Sequence, residues 1–323
     1  MPPQADHRVP LARQPRASNY SYNLERTLDA VVGIHCLISS DAFTAETLGV
    51  ERAGNGVVIG ADLVLTIGYL VIEAQSVWIH LSDTRFVEGH VLGIDHDSGL
   101  ALVQALQPFD IEPLELGDSD AAMIGDNVIL AGVGGKACAV ASQIMHRDVF
   151  AGYWEYQISN AIFTSPLHPN WGGTGLISAS GELIGVGSLQ IEHGTTEGAN
   201  MINMSVPINL LKPVLTDLRE FGRVNRPARP WLGMYTTQIE DRLVLVGIAP
   251  RGPAAKAGIR TGDIVLGING KAVTDLTDFY RKLWALGPAG TEIPLTLHRG
   301  RDDFNVILKS AARTQFLKAP RMH

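Results

Sequence analysis

The stretch 246–279, VGIAPRGPAAKAGIRTGDIVLGINGKAVTDLTDF, decides the fold of the C-terminal third of the chain. VGI ends a strand, and PAAKAGI reads as a short helix with proline in its first turn, where the missing N–H costs nothing. DIVLGI is a second strand. Asn269-Gly270 then marks a tight hairpin turn, because both residue types accept positive φ. A further helix runs from about Asp275 to Leu286. WLGMYTT and RLVLVGI on one side, and PLTLHRG and FNVILK on the other, complete a small α+β unit.

Upstream the pattern changes. AVVGIHCLI (30–38), GVVIG (56–60), LVLTIGYLV (63–71), SVWIHL (76–81), GHVLGI (89–94) and LALVQAL (100–106) are short apolar runs separated by Gly, Asp, Asn or Ser. NVILAGVGG (127–135), ACAVASQIM (137–145), WEYQIS (154–159), GLIS (175–178) and ELIGVGSLQI (182–191) continue them. Strands at this spacing without helical periods predict an antiparallel sandwich or barrel, with a hairpin turn at Ser180-Gly181. Leu210, Leu211, Val214, Leu215, Leu218 and Phe221 fall at helical spacing, and Gly222 caps them. RVNRPARP (223–230) is a linker, so the 323 residues divide into two domains.

Hydrophobic residues make up 46% and charged residues 18%, enough apolar chain for a sizeable core. A net charge of −7 argues against a nucleic-acid binder, and the basic stretches Arg219–Arg229 and Arg299–Arg301 read as linker and hairpin tip. Cys36 and Cys138 are too few for a disulfide framework, and two free thiols are favoured over a bridge. The first twenty residues lack an apolar signal region, and no run is long enough to span a membrane. The expected compartment is the cytoplasm, or the periplasm if the N-terminus was truncated.

The second unit resembles a PDZ domain of the HtrA/Deg kind, on the ordered match across 246–279. The resemblance implies peptide binding by strand addition, with Trp231, Leu232, Gly233 and Met234 as the carboxylate-binding loop. The first unit is similar to the trypsin-like protease domain of the same family. GNGVVIGADLVLTIGYLV (54–71), DHDSGLALV (95–103), LGDSDAAMIGDNVILAGVGG (116–135) and PNWGGTGLISASGELIGV (169–186) carry that likeness. The implied fold is mostly β: a double six-stranded β-barrel followed by a C-terminal PDZ domain. The corresponding boundaries are a polar arm at 1–24, the protease-fold domain at 25–213, helix end and linker at 214–229, the PDZ domain at 230–310 and a tail at 311–323.

The family's catalytic residue types are absent from the matching positions. Trp171 stands where the family has its nucleophilic serine, Tyr69 at its histidine and Gly99 at its aspartate. Pro169, which has no N–H, stands where an oxyanion donor is expected. His96, Asp97, Ser165, His168 and Thr174 are the neighbouring polar candidates, each offset by residues that move a side chain many ångströms. The expectation is therefore a chain that is not an enzyme: a non-catalytic pseudoprotease that binds peptide C-termini or unfolded segments as adaptor, chaperone or scaffold. The alternative is a serine endopeptidase with a relocated nucleophile. Tyr69 and Trp171 are expected to plug the cleft, with a new ligand pocket as the other reading. No metal or cofactor is implied. Tyr20 and Tyr22 occupy the place of the family's trimer-forming arm, so a homotrimer or a mixed assembly with active relatives is expected.

Overall fold

The computed structural model describes residues 8–81, 85–195 and 198–318. Two compact units divide these residues: one drawn from 8–148 and 160–225, the other from 149–159 and 226–318.

The first unit holds two closed antiparallel barrels. In the first, β1 (Val31–Ile38), β2 (Glu51–Val58), β3 (Leu63–Ile67), β4 (Ala74–His80), β5 (Phe86–Ile94) and β6 (Leu100–Ala105) close in the order β1-β2-β3-β6-β5-β4. Helix α1 (Leu24–Asp29) leads into it, capped by Asn23, whose side chain accepts from the Arg26 N–H. At six residues α1 is too short to leave a periodic signal. Helices α2 (Ala45–Leu48) and α3 (Gly68–Val71) are single turns.

The second barrel closes as β10-β11-β12-β9-β8-β7 from β7 (Asn127–Ala131), β8 (Ala139–Gly152), β9 (Tyr156–Ser165), β10 (Gly175–Ile177), β11 (Leu183–Thr195) and β12 (Gly198–Pro207). Val128, Leu130, Val140, Ile144, Ile162, Leu176 and Ile184 form its core, joined by Val9 from the N-terminal arm. The helix expected over 210–221 is shorter. Pro213 cannot donate an interior hydrogen bond, so a 3₁₀ turn at Ile208–Leu210 precedes α4 (Leu215–Phe221). Gly222 ends α4 at φ 67°, as read from the sequence.

The second unit is a sheet ordered β13-β14-β15-β17-β18, with β16 paired to β15. The strands are β13 (Met234–Ile239), β14 (Arg242–Ile248), β15 (Ile264–Ile268), β16 (Lys271–Ala272), β17 (Glu292–Arg299) and β18 (Asp302–Lys309). Helices α5 (Pro253–Lys256) and α6 (Leu276–Trp284) belong to this unit, and Asp275 caps α6 by accepting from the Asp278 N–H. Asn269 and Gly270 both take positive φ, 49° and 71°, and make the expected β15–β16 turn. Phe279, Tyr280 and Leu283 from α6 pack on Leu232, Leu245, Leu295 and Leu297. Both cysteines are free thiols, Cys36 buried and Cys138 half-buried. Among the described residues no helix is long and apolar enough to cross a membrane.

Candidate functional site

Two places bring the singled-out residues together: the cleft of the first unit and the 231–234 loop of the second. In the cleft, the single turn α3 carries Tyr69 and the loop before β10 carries Trp171. The Tyr69 hydroxyl donates to the Ser188 carbonyl at 2.8 Å. It also lies against Gly172, where an added Cβ would sit 2.6 Å from the phenol oxygen. Burial pushes the phenol well above its ordinary range, while a hydrogen bond with the Trp171 side chain opposes that. The two aromatics therefore meet at the phenol oxygen.

Gly99 takes φ 76°, and its carbonyl accepts from the Gly68 N–H at 2.6 Å, bracing the start of α3. Pro169 is exposed at the entry to the Trp171 loop. The five neighbouring polar candidates are dispersed. Asp97 lies in a turn organised by buried Asp95, which accepts from the Asp97 and Ser98 N–H groups; His96 sits within that turn. The Thr174 hydroxyl donates to the Trp171 carbonyl at 2.9 Å. His168 is buried, and its Nδ1 accepts from the Asn170 N–H. That leaves Nε2 as the donor to the Cys138 carbonyl at 2.8 Å, fixing a neutral tautomer. Ser165 ends β9 and is half-buried.

Three residues that hold this cleft were not singled out from the sequence. Asn55, fully buried on β2, donates from Nδ2 to the Asn170 and Gly172 carbonyls and accepts at Oδ1 from the Val133 N–H. It ties the Trp171 loop to the loop after β7. Arg52, 5% exposed, donates to the Tyr69 and Ile72 carbonyls, and Glu73, 4% exposed, accepts from the Phe43 and Thr44 N–H groups and the Thr44 hydroxyl. The signal was present: polar and charged residues sit at positions where the surrounding strands are apolar. Gly173 is the one position in this loop that glycine alone can fill. Its φ is 76°, and a Cβ would fall 1.8 Å from the Asn55 carbonyl oxygen.

In the second unit, β14 and α5 shape the 231–234 loop. The Ala249 N–H donates to the Gly233 carbonyl and the Ala254 N–H to the Leu232 carbonyl. Trp231 exchanges backbone hydrogen bonds with Ala311, and its ring meets Phe316 with centroids 4.8 Å apart. The carbonyls are thereby turned away, and the N–H groups of Leu232, Gly233 and Met234 converge. They converge on the carboxylate of Glu155, with bonds of 2.9 Å from Leu232 and 2.8 Å from Met234, and the Gly233 N–H between them adds to the same electrostatic pull. Glu155 as a residue is half-buried, but its carboxylate is enclosed, and burial raises it from 4.5 to about 7 against the opposing pull of these three donors and Arg313. Glu155 lies inside the run WEYQIS (154–159), where a single acid carries no signal of its own.

The chain matches two family models, a trypsin-like peptidase domain over residues 54–186 and a PDZ domain over 230–309. It is 28% identical over 279 residues to the periplasmic serine endoprotease DegP of Escherichia coli K12, covering 81% of this chain and 57% of that protein. The periplasmic pH-dependent serine endoprotease DegQ of the same organism is 26% identical over 262 residues, covering 77% of this chain and 57% of that protein. The chain thus spans somewhat more than half the length of the relatives it matches. A solved structure of the HtrA-type protease AlgW with a tripeptide shares its fold, with a TM-score of 0.54 at 21% identity, covering 95% of this chain and 99% of that one.

These relatives correct one expectation. The sequence reading held that the chain is not an enzyme, whereas proteins alignable over about four fifths of it are named serine endoproteases, at about 28% identity. The reading argued from four fixed positions, Tyr69, Gly99, Trp171 and Pro169. An acyl-transfer site is defined by the geometry of its groups, and the same constellation arises from residues in different chain order.

Proposed function

Starting from a chain that belongs to the HtrA/Deg family of trypsin-like, PDZ-containing proteins, we propose that it captures peptide or protein C-termini through the loop Trp231–Met234. One observation carries this reading: three successive backbone N–H groups, at Leu232, Gly233 and Met234, are aimed at a single carboxylate. Backbone donors recognise a carboxylate whatever side chain it follows, and β13, last in the order of its sheet, is the strand on which an extended peptide would add. The AlgW structure, solved with a tripeptide, supports the same class of ligand. The test is binding of peptide pairs that differ only in a free or amidated C-terminus. Free acids are expected to bind at least tenfold more tightly, and equal binding would end the proposal.

A second reading is favoured by the relatives' names: serine endopeptidase activity with a nucleophile other than residue 171. Ser165 and Thr174 are the hydroxyls nearest the loop in sequence. A fluorophosphonate adduct located by peptide mapping, and lost in Ser165→Ala or Thr174→Ala, supports it; absence of any adduct refutes it. The names of DegP and DegQ favour a periplasmic setting, and family membership favours an oligomer.

A further inference from the structure

The groove expected to receive a peptide already holds a segment of this chain. The tip of the β8–β9 hairpin, Gly152 to Glu155, makes the contacts that an added strand and its terminal carboxylate would make. The Thr236 N–H of β13 donates to the Tyr153 carbonyl at 2.9 Å. Two residues further on, the Glu155 carboxylate accepts from the Leu232 and Met234 N–H groups. From α6, the buried Tyr280 hydroxyl donates to the Gly152 carbonyl at 2.8 Å and accepts from the Glu155 N–H at 3.1 Å. Ala151 packs against the apolar core of the unit, and the Tyr153 ring meets Tyr235 edge-on with centroids 6.2 Å apart.

The backbone is shaped for this placement. Glu155 has φ 59°, a left-handed conformation that residues other than glycine rarely adopt. The bend turns the main chain away into β9, so a side chain enters the loop where a ligand would present its end. A side-chain carboxylate is the one internal group that reproduces the charge and planar geometry of a C-terminus.

We infer that the hairpin tip is a built-in competitor: Glu155 imitates a C-terminal carboxylate and occupies the groove until an incoming peptide with a free C-terminus displaces it. The inference rests on the peptide-binding reading above and gives that site its regulation. Because occupation and binding exclude each other, apparent peptide affinity equals the intrinsic affinity reduced by the fraction of molecules with the groove open. Weakening the internal contact must therefore strengthen binding from outside, the opposite of what loss of a ligand-binding residue does.

The test uses the full chain and a fluorescein-labelled decapeptide of residues 146–155 with a free α-carboxylate, read by anisotropy. The same decapeptide made as the E155Q C-terminal amide, with no carboxylate at that end, is the control. Wild type is compared with Glu155→Ala, which removes the carboxyl altogether, and with Glu155→Asp, which keeps the charge but shortens the reach. Both variants are expected to bind the free-acid peptide about tenfold more tightly than wild type. Saturating peptide is expected to speed amide exchange at residues 150–156 of the wild type. If wild type and both variants bind with equal affinity, the competitor is refuted and the peptide reading stands. If no form distinguishes the free acid from the amide, the peptide reading itself falls.

Discussion

Replacing Glu155 by glutamine changes how the second unit responds to pH, and the structure gives both sign and size. In the docked state the carboxyl is raised from 4.5 to about 7, chiefly because burial penalises its charge. A group with the higher proton affinity in the docked state takes up a proton on docking, so docking weakens as pH rises between 4.5 and 7 and is fully penalised above that window. At about 1.4 kcal/mol per tenfold change in proton affinity, the upper bound is roughly 3 kcal/mol; half-exposure of the residue reduces it, to between about 1 and 3 kcal/mol. The groups around the carboxyl are the phenols of Tyr153, Tyr235 and Tyr280 and the Arg313 guanidinium. Burial pushes Tyr235 and Tyr280 above their ordinary value, and arginine keeps its proton throughout. The assay is amide exchange at Leu232, Met234 and Thr236, corrected for intrinsic exchange, between pH 4.5 and 7.5. Protection in the wild type is expected to fall by roughly ten- to a hundredfold across the window, and to stay flat in Glu155→Gln. Protection that rises with pH, or an equal slope in both proteins, refutes the assignment.

Three further outcomes concern the first unit. Asn55→Ala strands the Val133 N–H and the Asn170 carbonyl, and leaves the Gly172 carbonyl only the backbone N–H of residue 55; it is expected to cost about 3 kcal/mol in urea unfolding. Gly173→Ala drives a methyl into the Asn55 carbonyl at a positive φ; a loss of more than about 3 kcal/mol, or failure to accumulate folded protein, is expected by circular dichroism. Tyr69→Phe removes the bond to the Ser188 carbonyl and the bond with the Trp171 side chain and should lower stability by about 1–3 kcal/mol in the same measurement.

How much of this was legible in the sequence depended on the range of the interaction concerned. Asn269-Gly270, Gly222 and Asp275 act within a few residues of themselves, and their turn, cap and helix start were readable for that reason. Strand runs pointed to an antiparallel sandwich or barrel because strand length and turn residues are local patterns, and the pair of six-stranded barrels followed from the family resemblance. Pro213 was readable in principle as a breaker and was overridden by the apolar spacing around it. The cleft was half legible: position by position, the sequence located Tyr69 and Trp171. It did not reveal the long-range partner Asn55, which reaches loops 78 and 117 residues away. Inferring absent activity from those positions failed for a related reason, since residue types along a line do not state which groups meet in space.

Glu155 is the extreme case, because its partners lie 77 and 79 residues downstream and no spacing rule connects a hairpin tip to a loop in another stretch of chain. Its effect follows from tethering. A carboxylate held near its site by a short chain acts at an effective concentration on the order of millimolar, so a free peptide offering only a carboxylate would lose the competition. If the internal contact closes the groove in about 99% of molecules, an incoming ligand appears about a hundredfold weaker than its contacts warrant. What tips the balance must come from groups the hairpin lacks. The hairpin bonds to β13 at Thr236 through the Tyr153 carbonyl, with Glu155 at the loop end and the residues before Tyr153 running back into β8. A longer extended peptide can continue pairing along the β13 edge towards Gln238, adding main-chain bonds and side-chain contacts at each step. On this argument the internal glutamate makes the loop discriminate: a terminal carboxylate is necessary, and a sufficient length of unstructured chain behind it is what displaces the occupant.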